Sequence, residues 1–204
     1  MRTIEGQVSV LSGKQECAPR YGLDLDEGDA IRTGEKAWAL LSMMDGTKIT
    51  VRPDTEVRIT IYRYADGGEA WQNRAVLALT RGALRVTAGR MATVAADRGS
   101  GFVVRTPGAS MEIRGADSDI THIATKSASA GSAPVGTYGR AYAGEAVLKN
   151  GGGEATIRDG QTAYAELRAP PRVLNANPYF YFWHSYIDRR AAAVAERLDP
   201  AFVP

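Results

Sequence analysis

The chain has few residues of the kinds that form disulfides and metal sites. Its 204 residues include one cysteine, Cys17, and two histidines, His122 and His184. A single cysteine excludes an intrachain disulfide and therefore a small disulfide-stapled fold. A His/Cys metal site would need a further ligand close by, and no acidic segment has the spacing of an EF-hand calcium loop. We expect no metal and no cofactor.

Long hydrophobic runs are also missing. No stretch approaches the roughly 18 apolar residues that a membrane-spanning helix needs, so we expect no membrane span in this chain. The first ten residues lack the apolar segment of a signal peptide. The sequence is therefore that of a cytoplasmic protein, or of an exported protein whose signal peptide has been removed.

Neither sign of charge is in large excess. The formal net charge is +2, and the lysines and arginines are scattered singly along the chain. Nucleic-acid-binding proteins carry clustered basic residues that follow the phosphates. The composition therefore predicts no nucleic-acid partner.

Short alternating segments dominate from residue 6 to about residue 164. In segment 57–61, apolar residues alternate with polar ones, which is typical of a strand with one buried and one solvated face. Turn signals separate such segments, among them Asp45–Gly46, expected as a two-residue hairpin turn, and Arg81–Gly82. This pattern predicts an all-β fold of the sandwich, barrel or solenoid type.

The C-terminal part has a different pattern, and no helical pattern precedes residue 170. Ala169–Arg172 is expected to be a stiff, Pro-rich linker, and Asn177–Pro178 is a suitable helix start. We predict a β domain at residues 1–168 and a linker with a C-terminal helix at residues 169–204. The predicted helix is amphipathic because apolar residues recur at spacings of three and four: Phe180, Trp183, Ile187, Ala191, Val194 and Leu198.

Aromatic residues crowd the start of this helix. A helix buries only one stripe, so Tyr179, Phe182 and Tyr186 are expected near its flank. One interpretation is that the helix covers an open end or edge of the β-stack and that the flank simply packs there. The other is a partner-binding surface of Tyr179, Phe182, Trp183 and Tyr186, since aromatic residues are enriched in interface cores. The mixed charges further along the helix disfavour a membrane-surface role.

One local cluster contains the residue types of a catalytic triad. His122 lies near Asp117, Ser118 and Asp119, but no G-x-S-x-G nucleophile motif occurs in the chain. We expect no catalytic residue and a protein that is not an enzyme.

An ordered set of short motifs runs through the β region. They consist of Gly6, Val8 and Val10, then Leu25, Gly28, Asp29, Ile31, Thr33 and Gly34, then Leu40 through Asp45, Gly46 and Thr47, then Pro53, Asp54, Thr55 and Val57, then Leu77, Leu79, Gly82, Leu84 and Val86, and finally Phe102, Val104, Thr106, Pro107, Ala109, Met111, Ile113, Arg114 and Gly115. These motifs resemble the FecR domain, and the resemblance covers roughly residues 6–165. The family has Thr after its Arg-Gly pair, where this chain has Ala116.

The resemblance implies a periplasmic domain, built as a short β-helix or as a sandwich-like stack of hairpins. We expect the amphipathic helix, which the residue spacing predicts, to pack on it. The anti-sigma segment and membrane helix that precede the domain in familiar members are absent from this sequence, so their iron-signalling role is not expected. The residues expected to define the fold at turns are Gly28, Asp29, Gly34, Asp45, Gly46, Pro107, Arg114 and Gly115.

The expected function is a non-enzymatic extracytoplasmic binding or sensing module that recognises a protein or cell-envelope component. The alternative is a structural scaffold or assembly subunit that forms oligomers through the C-terminal helix.

Overall fold

The structure of this protein is a computed structural model that describes residues 1–66, 72–94, 101–126 and 131–198. Its first eight strands are β1 (Thr3–Glu5), β2 (Val8–Ser12), β3 (Gln15–Cys17), β4 (Ala30–Thr33), β5 (Trp38–Ser42), β6 (Lys48–Val51), β7 (Glu56–Arg63) and β8 (Arg74–Thr87). The next eight are β9 (Phe102–Thr106), β10 (Ala109–Ile113), β11 (Asp117–Ile123), β12 (Gly136–Ala143), β13 (Ala146–Asn150), β14 (Gly153–Ile157), β15 (Thr162–Ala165) and β16 (Arg172–Val173). The helices are α1 (Arg90–Val94) and α2 (Phe180–Leu198).

The strands form two sheets that share β8. Sheet A has the order β1-β5-β6-β8-β11-β12-β15-β16. Sheet B has the order β3-β2-β4-β7-β8-β9-β10-β13-β14. Strands β8 and β9 are parallel, and the other described pairings are antiparallel. The predicted all-β fold with a C-terminal helix is confirmed, and its form is the sandwich-like alternative.

Gly82 lies where β8 passes from one sheet to the other. Arg81 pairs with β7 of sheet B, and Gly82 pairs with β11 of sheet A. The backbone of Gly82 has a φ of +88°, and a Cβ there would lie 2.5 Å from the Cα of Thr55. A glycine is needed because only glycine combines this conformation with such a close approach. The predicted turn at Arg81–Gly82 is therefore wrong, since both residues lie within one long strand.

One apolar core fills the space between the sheets. Alternate residues of a strand point to opposite faces, so Ile49, Leu84 and Ile120 of sheet A point inward. They pack with side chains of sheet B such as Leu79 and Val104, and all five are completely buried. This core supplies the hydrophobic stabilisation of the β domain.

Two local expectations need correction. The connection between β5 and β6 spans residues 43–47 rather than two residues, and its positive φ of +90° is at Gly46. Helix α1 also precedes residue 170. Its first turn is tied to the β5–β6 connection, because the amide of Arg90 donates to the Asp45 carbonyl and the amide of Met91 to the Asp45 carboxylate.

Helix α2 lies on the outer face of sheet A rather than at an open end or edge of the β-stack. Phe180 and Ala191 are buried as predicted, but Trp183 is half exposed, while Tyr181 is buried. The buried stripe is rotated relative to the prediction because it is centred on the polar residues His184 and Asp188. The side chain of Leu198 lies outside the described part of the chain.

Candidate partner-binding surface

Apolar contacts hold both ends of α2 to sheet A. Near its start, Phe180 and Tyr181 pack against Ile123, Tyr138 and Tyr164, and the ring centroids of Tyr138 and Phe180 are 5.2 Å apart. Edge-to-face ring pairs of this kind add about 0.5–1.5 kcal/mol to the effect of area burial. These contacts fix the start of the helix on the β domain.

The other end of α2 is packed through small side chains. Ala191 and Ala195 contact Trp38 and Leu40, which lie on the outer face of β5. The Trp38 indole N–H donates to the Glu5 carboxylate at 2.9 Å. Small residues let the helix approach the sheet closely, so the whole length of α2 is held on sheet A.

An ion cluster with a buried centre lies between these apolar ends. It consists of Arg52, Arg85, Asp117, Asp119 and Asp188, with His184 beside it. The Arg52 side chain is 1% exposed and makes two parallel hydrogen bonds to Asp188, Nε–Oδ1 at 2.9 Å and Nη2–Oδ2 at 2.8 Å. Its Nη1 is 2.5 Å from Asp119 Oδ2. Arg52 thereby joins the β6–β7 connection, strand β11 and helix α2.

Arg85 extends the ion cluster along the sheet. It makes two hydrogen bonds to Asp117, at 3.0 and 2.7 Å, and a third to Asp188 Oδ2 at 2.9 Å. Its guanidinium also lies over the ring of Tyr142, 4.8 Å from the centroid, and the Tyr142 hydroxyl donates to Asp119 at 3.3 Å. Asp188 of the helix is therefore shared by two arginines of the sheet.

The ionisation of the ion cluster follows from these contacts. Burial would raise the pKa of the Asp119 carboxyl, but the charge of Arg52 outweighs burial and this pKa is lowered to about 2. Burial would lower the pKa of Arg52, but Asp119 and Asp188 raise it above its ordinary value. Both groups are charged at neutral pH, because each stabilises the ionised form of the other.

His184 is neutral in this arrangement. Burial and then the Arg52 charge lower its pKa below the ordinary value, against the opposing effect of Asp119. Arg52 Nη1 lies 2.9 Å from His184 Nδ1, and a guanidinium can only donate. Nδ1 is therefore the acceptor, and the ring proton is on Nε2.

The four predicted partner-binding residues lie together on the exposed side of α2 and just before it. Tyr179 is 70% exposed, Phe182 62%, Trp183 50% and Tyr186 47%. The rings of Tyr179 and Phe182 are stacked at 5.9 Å, and Trp183 contacts Phe182 and Tyr186 edge-on at 6.3 and 6.4 Å. We call these four residues the aromatic surface. Their contiguity distinguishes them from isolated exposed apolar residues, which are common.

A cleft of about 600 Å³ adjoins the aromatic surface. One wall is the first half of α2, and the other is formed by the β4–β5 and β6–β7 connections with the middle of β8 and the end of β11. Trp183 belongs to both the cleft and the aromatic surface. Its other lining residues include Glu35, Asp54, Arg81, His122, Phe180 and His184.

The residues of the triad-like cluster point in different directions. Asp119 faces α2 and binds Arg52, whereas the buried Ser118 faces the opposite side of β11. His122 Nδ1 lies 3.1 Å from the Thr137 hydroxyl. These three residues therefore do not converge on one reacting position. Among the described residues, no group of three or more His, Cys, Asp or Glu side chains is arranged to hold a metal ion.

The first three predicted turn residues, Gly28, Asp29 and Gly34, lie in connections between strands. Gly28 has a φ of +97°, and its amide donates to the Ile59 carbonyl. The Asp29 carboxylate accepts from the Asp26 amide at 3.0 Å. Gly34 donates from its amide to the Gln7 carbonyl at 2.9 Å and thereby joins two loops.

Asp45 is a buried acceptor at the end of the β5–β6 connection. Its carboxylate accepts from the amide and the hydroxyl of Thr47, at 3.2 and 2.7 Å, and the Tyr62 hydroxyl lies 3.3 Å away. Burial and Asp45 together raise the pKa of Tyr62 to about 12. Asp45 and Gly46 thus organise the contact between this connection and the start of α1.

The remaining turn residues lie in the segment 102–120. Pro107 and Gly108 form the two-residue hairpin turn between β9 and β10. Gly115 is required by close packing, since a Cβ there would lie 2.5 Å from the backbone nitrogen of Glu145. Arg114 pairs with Glu112 at 2.8 Å and lies 3.6 Å from Glu145, so its role is within the sheet-B hairpins.

The sequence reasoning missed the ion cluster. Arg52 and Arg85 alternate with apolar residues in segments typical of strands with one solvated face, and Asp117 and Asp119 stand out in the sequence only as members of the triad-like cluster. Asp188 has the pattern of an ordinary surface residue of a helix. One available signal was the spacing of His184 and Asp188, which places two polar residues one turn apart, in line with the buried Phe180 and Tyr181.

The fold and this surface define a class of protein: an all-β domain whose C-terminal helix presents aromatic side chains. A family model described as FecR protein matches residues 29–132, slightly more than half of the chain. The chain belongs to the FecR family. Membership of this family supports a role as a regulatory or sensing module, and FecR domains are typically extracytoplasmic.

Solved structures share the fold. Two crystal structures of a candidate anti-sigma factor from Parabacteroides distasonis match with a TM-score of 0.52 and 13% sequence identity. The match covers 73% of this chain and 60% of that protein, so it leaves two fifths of the Parabacteroides protein unmatched. A comparison with curated proteins found no match. In the described ranges, no helix is both long and apolar enough to cross a bilayer.

Proposed function

We propose that this protein is a non-enzymatic, periplasmic binding or sensing module that recognises a protein or cell-envelope partner through the aromatic surface. The observation that carries the proposal is the group of four contiguous exposed rings, one just before and three on a helix that buried contacts hold in place. Tyrosine and tryptophan are enriched among the residues that contribute most to binding. A helix that is already fixed loses little conformational entropy when a partner binds.

The division of the chain belongs to the same proposal. Residues 1–168 would form the β domain, and residues 169–204 would form the unit that presents the aromatic surface. The bidentate contact of Asp188 with Arg52 supports a fixed orientation of this unit on the domain.

Photocrosslinking inside cells tests the proposal. A photoreactive phenylalanine analogue would replace Phe182, and in a matched control it would replace Tyr21, which is also aromatic and exposed but lies on another part of the chain. We expect discrete adducts with another protein or with an envelope component from position 182 and not from position 21. Equal adduct patterns from both positions, or none from position 182, would contradict the proposal.

A second candidate is an assembly subunit. The same four exposed rings favour it, because a self-complementary apolar patch can form a symmetric dimer. In that case position 182 would give an adduct of twice the chain mass. Light scattering coupled to size-exclusion chromatography would then show a stable oligomer that Phe182→Ser dissociates.

A further inference from the structure

The cleft beside α2 has the size and lining of a ligand site. Its volume of about 600 Å³ lies in the range of about 300–1,000 Å³ found for ligand pockets. Phe180, Trp183 and Ile187 form an apolar wall along the helix. Since Trp183 also belongs to the aromatic surface, a partner bound at that surface could extend directly into the cleft.

Two histidines supply hydrogen-bonding groups to the cleft. His184 accepts from Arg52 at Nδ1, so its Nε2–H is a donor without a partner in the described ranges. His122 is 94% buried, and its Nδ1 is engaged with the Thr137 hydroxyl. The Nε2 of His122 likewise has no partner in the described part of the chain. Neither Nε2 belongs to the buried unpartnered atoms of the described residues, so both are accessible from the cleft, where a ligand can form hydrogen bonds with them.

The charges near the cleft argue against an anionic ligand. Arg52, its innermost cation, is already shared by Asp119 and Asp188. At the rim, Glu35 and Asp54 make no ion pair with the described residues, and both are exposed. A further buried anion would be repelled, whereas a neutral acceptor suits the inner end and a cation suits the rim.

Arg81 is the exposed cation of the rim. Its guanidinium lies 4.0 Å from the Glu56 carboxylate, which also binds Arg32 at 3.1 Å, so the charge of Arg81 is only partly offset. The rim therefore keeps an excess of negative charge from Glu35 and Asp54.

A peptide combines the three features that the cleft requires. Its backbone carbonyl is a neutral acceptor, an apolar side chain fits the aromatic wall, and a lysine or arginine side chain fits the acidic rim. We propose that the cleft binds an extended segment of the partner in which an apolar residue adjoins a basic one. This proposal rests on the proposed partner-binding function and specifies how the partner is recognised.

NMR titration of the ¹⁵N-labelled full chain tests this directly. The probes are two capped tetrapeptides, acetyl-Leu-Lys-Leu-Lys-amide and acetyl-Leu-Glu-Leu-Glu-amide. We expect saturable shifts of the Trp183 indole N–H and of the backbone at 121–125 with the lysine peptide, and much weaker shifts with the glutamate peptide.

Two sets of variants locate the binding. Glu35→Gln with Asp54→Asn should weaken lysine-peptide binding by about threefold or more, since each exposed ion pair contributes modestly. Asparagine suits position 54 because its φ is +53°. Ala124→Trp should fill the cleft and abolish the shifts, whereas Ala124→Ser should not. Position 124 is exposed, and the spectrum of each variant also reports whether it is folded.

The results separate this inference from the proposed function. Absence of saturable shifts at the cleft, equal binding of both peptides, or binding unaffected by Ala124→Trp would overturn the inference. Specific crosslinking from position 182 would still support the proposed function in that case. Conversely, peptide binding in the cleft without specific adducts from Phe182 would support the cleft site and contradict the proposed role of the aromatic surface.

Discussion

The core between the two sheets and the layer beneath helix α2 are built from the same strands in different ways. Strand β8 sends Leu84 inward and Arg85 outward, and strand β11 sends Ile120 inward and Asp119 outward. The inner residues belong to the apolar core. The outer residues meet a helix that supplies a charged partner, Asp188.

This difference shows that the stability of the β domain and the orientation of α2 depend on different kinds of interaction. Apolar burial is non-directional and scales with area, so the inner core stabilises the fold but tolerates small shifts. Bidentate ion pairs are directional, and those of Arg52 with Asp188 are satisfied in one helix position. We infer that the ion cluster sets the rotation of α2, which in turn decides that Phe182 and Trp183 face solvent.

The largest expected effect comes from removing Arg52. Arg52→Met leaves the buried carboxylates of Asp119 and Asp188 without their shared cation and should lower the free energy of unfolding by about 3–5 kcal/mol. Urea unfolding followed by circular dichroism measures this loss.

The matched variant replaces Arg52 together with its two carboxylate partners and leaves the Arg85–Asp117 pair in place. Arg52→Met combined with Asp119→Leu and Asp188→Leu should be more stable than Arg52→Met alone, because no buried charge is left unpaired. A triple variant less stable than Arg52→Met would show that the unpaired carboxylates are not the cause of the loss in the single variant.

A smaller loss is expected from the inner core. Leu84→Ala should cost about 3 kcal/mol through lost burial and a residual cavity. Because Leu84 belongs to the apolar core and not to the ion cluster, the pH dependence of stability should be that of the unaltered protein. A changed pH dependence would mean that the two layers are more strongly coupled than their geometry indicates.

Acid should weaken the helix layer selectively. The folded pKa of His184 is below its ordinary value of 6.5, so the contribution of His184 is present above pH 6.5 and declines as the pH falls below it. The Asp119 pKa is 3.8 in the unfolded reference and about 2 in the fold, which corresponds to ~2 kcal/mol lost as the pH falls from about 4 to 2.

Unfolding measured from pH 7 to pH 2 checks this expectation. Asp119→Asn should flatten the dependence between pH 4 and pH 2, although its absolute stability is also lower. An unchanged slope in this variant would exclude Asp119 as the source of the acid sensitivity.

The smallest effect on stability is expected at the aromatic surface. Phe182→Ser should change the free energy of unfolding by no more than about 0.5 kcal/mol, because this side chain is mostly exposed. Phe180→Ser, on the buried side of the same helix, should cost several times more. Thermal unfolding of the two variants makes the comparison, and equal losses would place Phe182 in a packed contact.

Much of the β domain could be predicted from local signals. Alternation of apolar and polar residues predicted strands such as β6 and β7, and the pair Pro107–Gly108 marks a hairpin turn through residue chemistry alone. The recurring motifs also resemble FecR, a resemblance that the family match bears out. These signals work because they depend on neighbours within a few residues.

The candidate site was only partly predictable. The aromatic residues could be identified, because a helix with rings around its first turns cannot bury them all. The ion cluster could not be predicted, because charged residues along one face of a strand give the same sequence pattern whether a helix or solvent covers that face. Arg52 and Asp188 are 136 residues apart in sequence, and no periodicity connects them.

The sequence by itself therefore determined the all-β architecture, the existence of a C-terminal helix and its aromatic start, since each follows from short-range patterning. Only the tertiary structure decided which face of the sheet the helix covers, how the helix is rotated, and which rings stay exposed. The physical reason is that burial of a polar face depends on a partner distant in the chain. In this protein that partner is Asp188, whose carboxylate binds two arginines of the sheet.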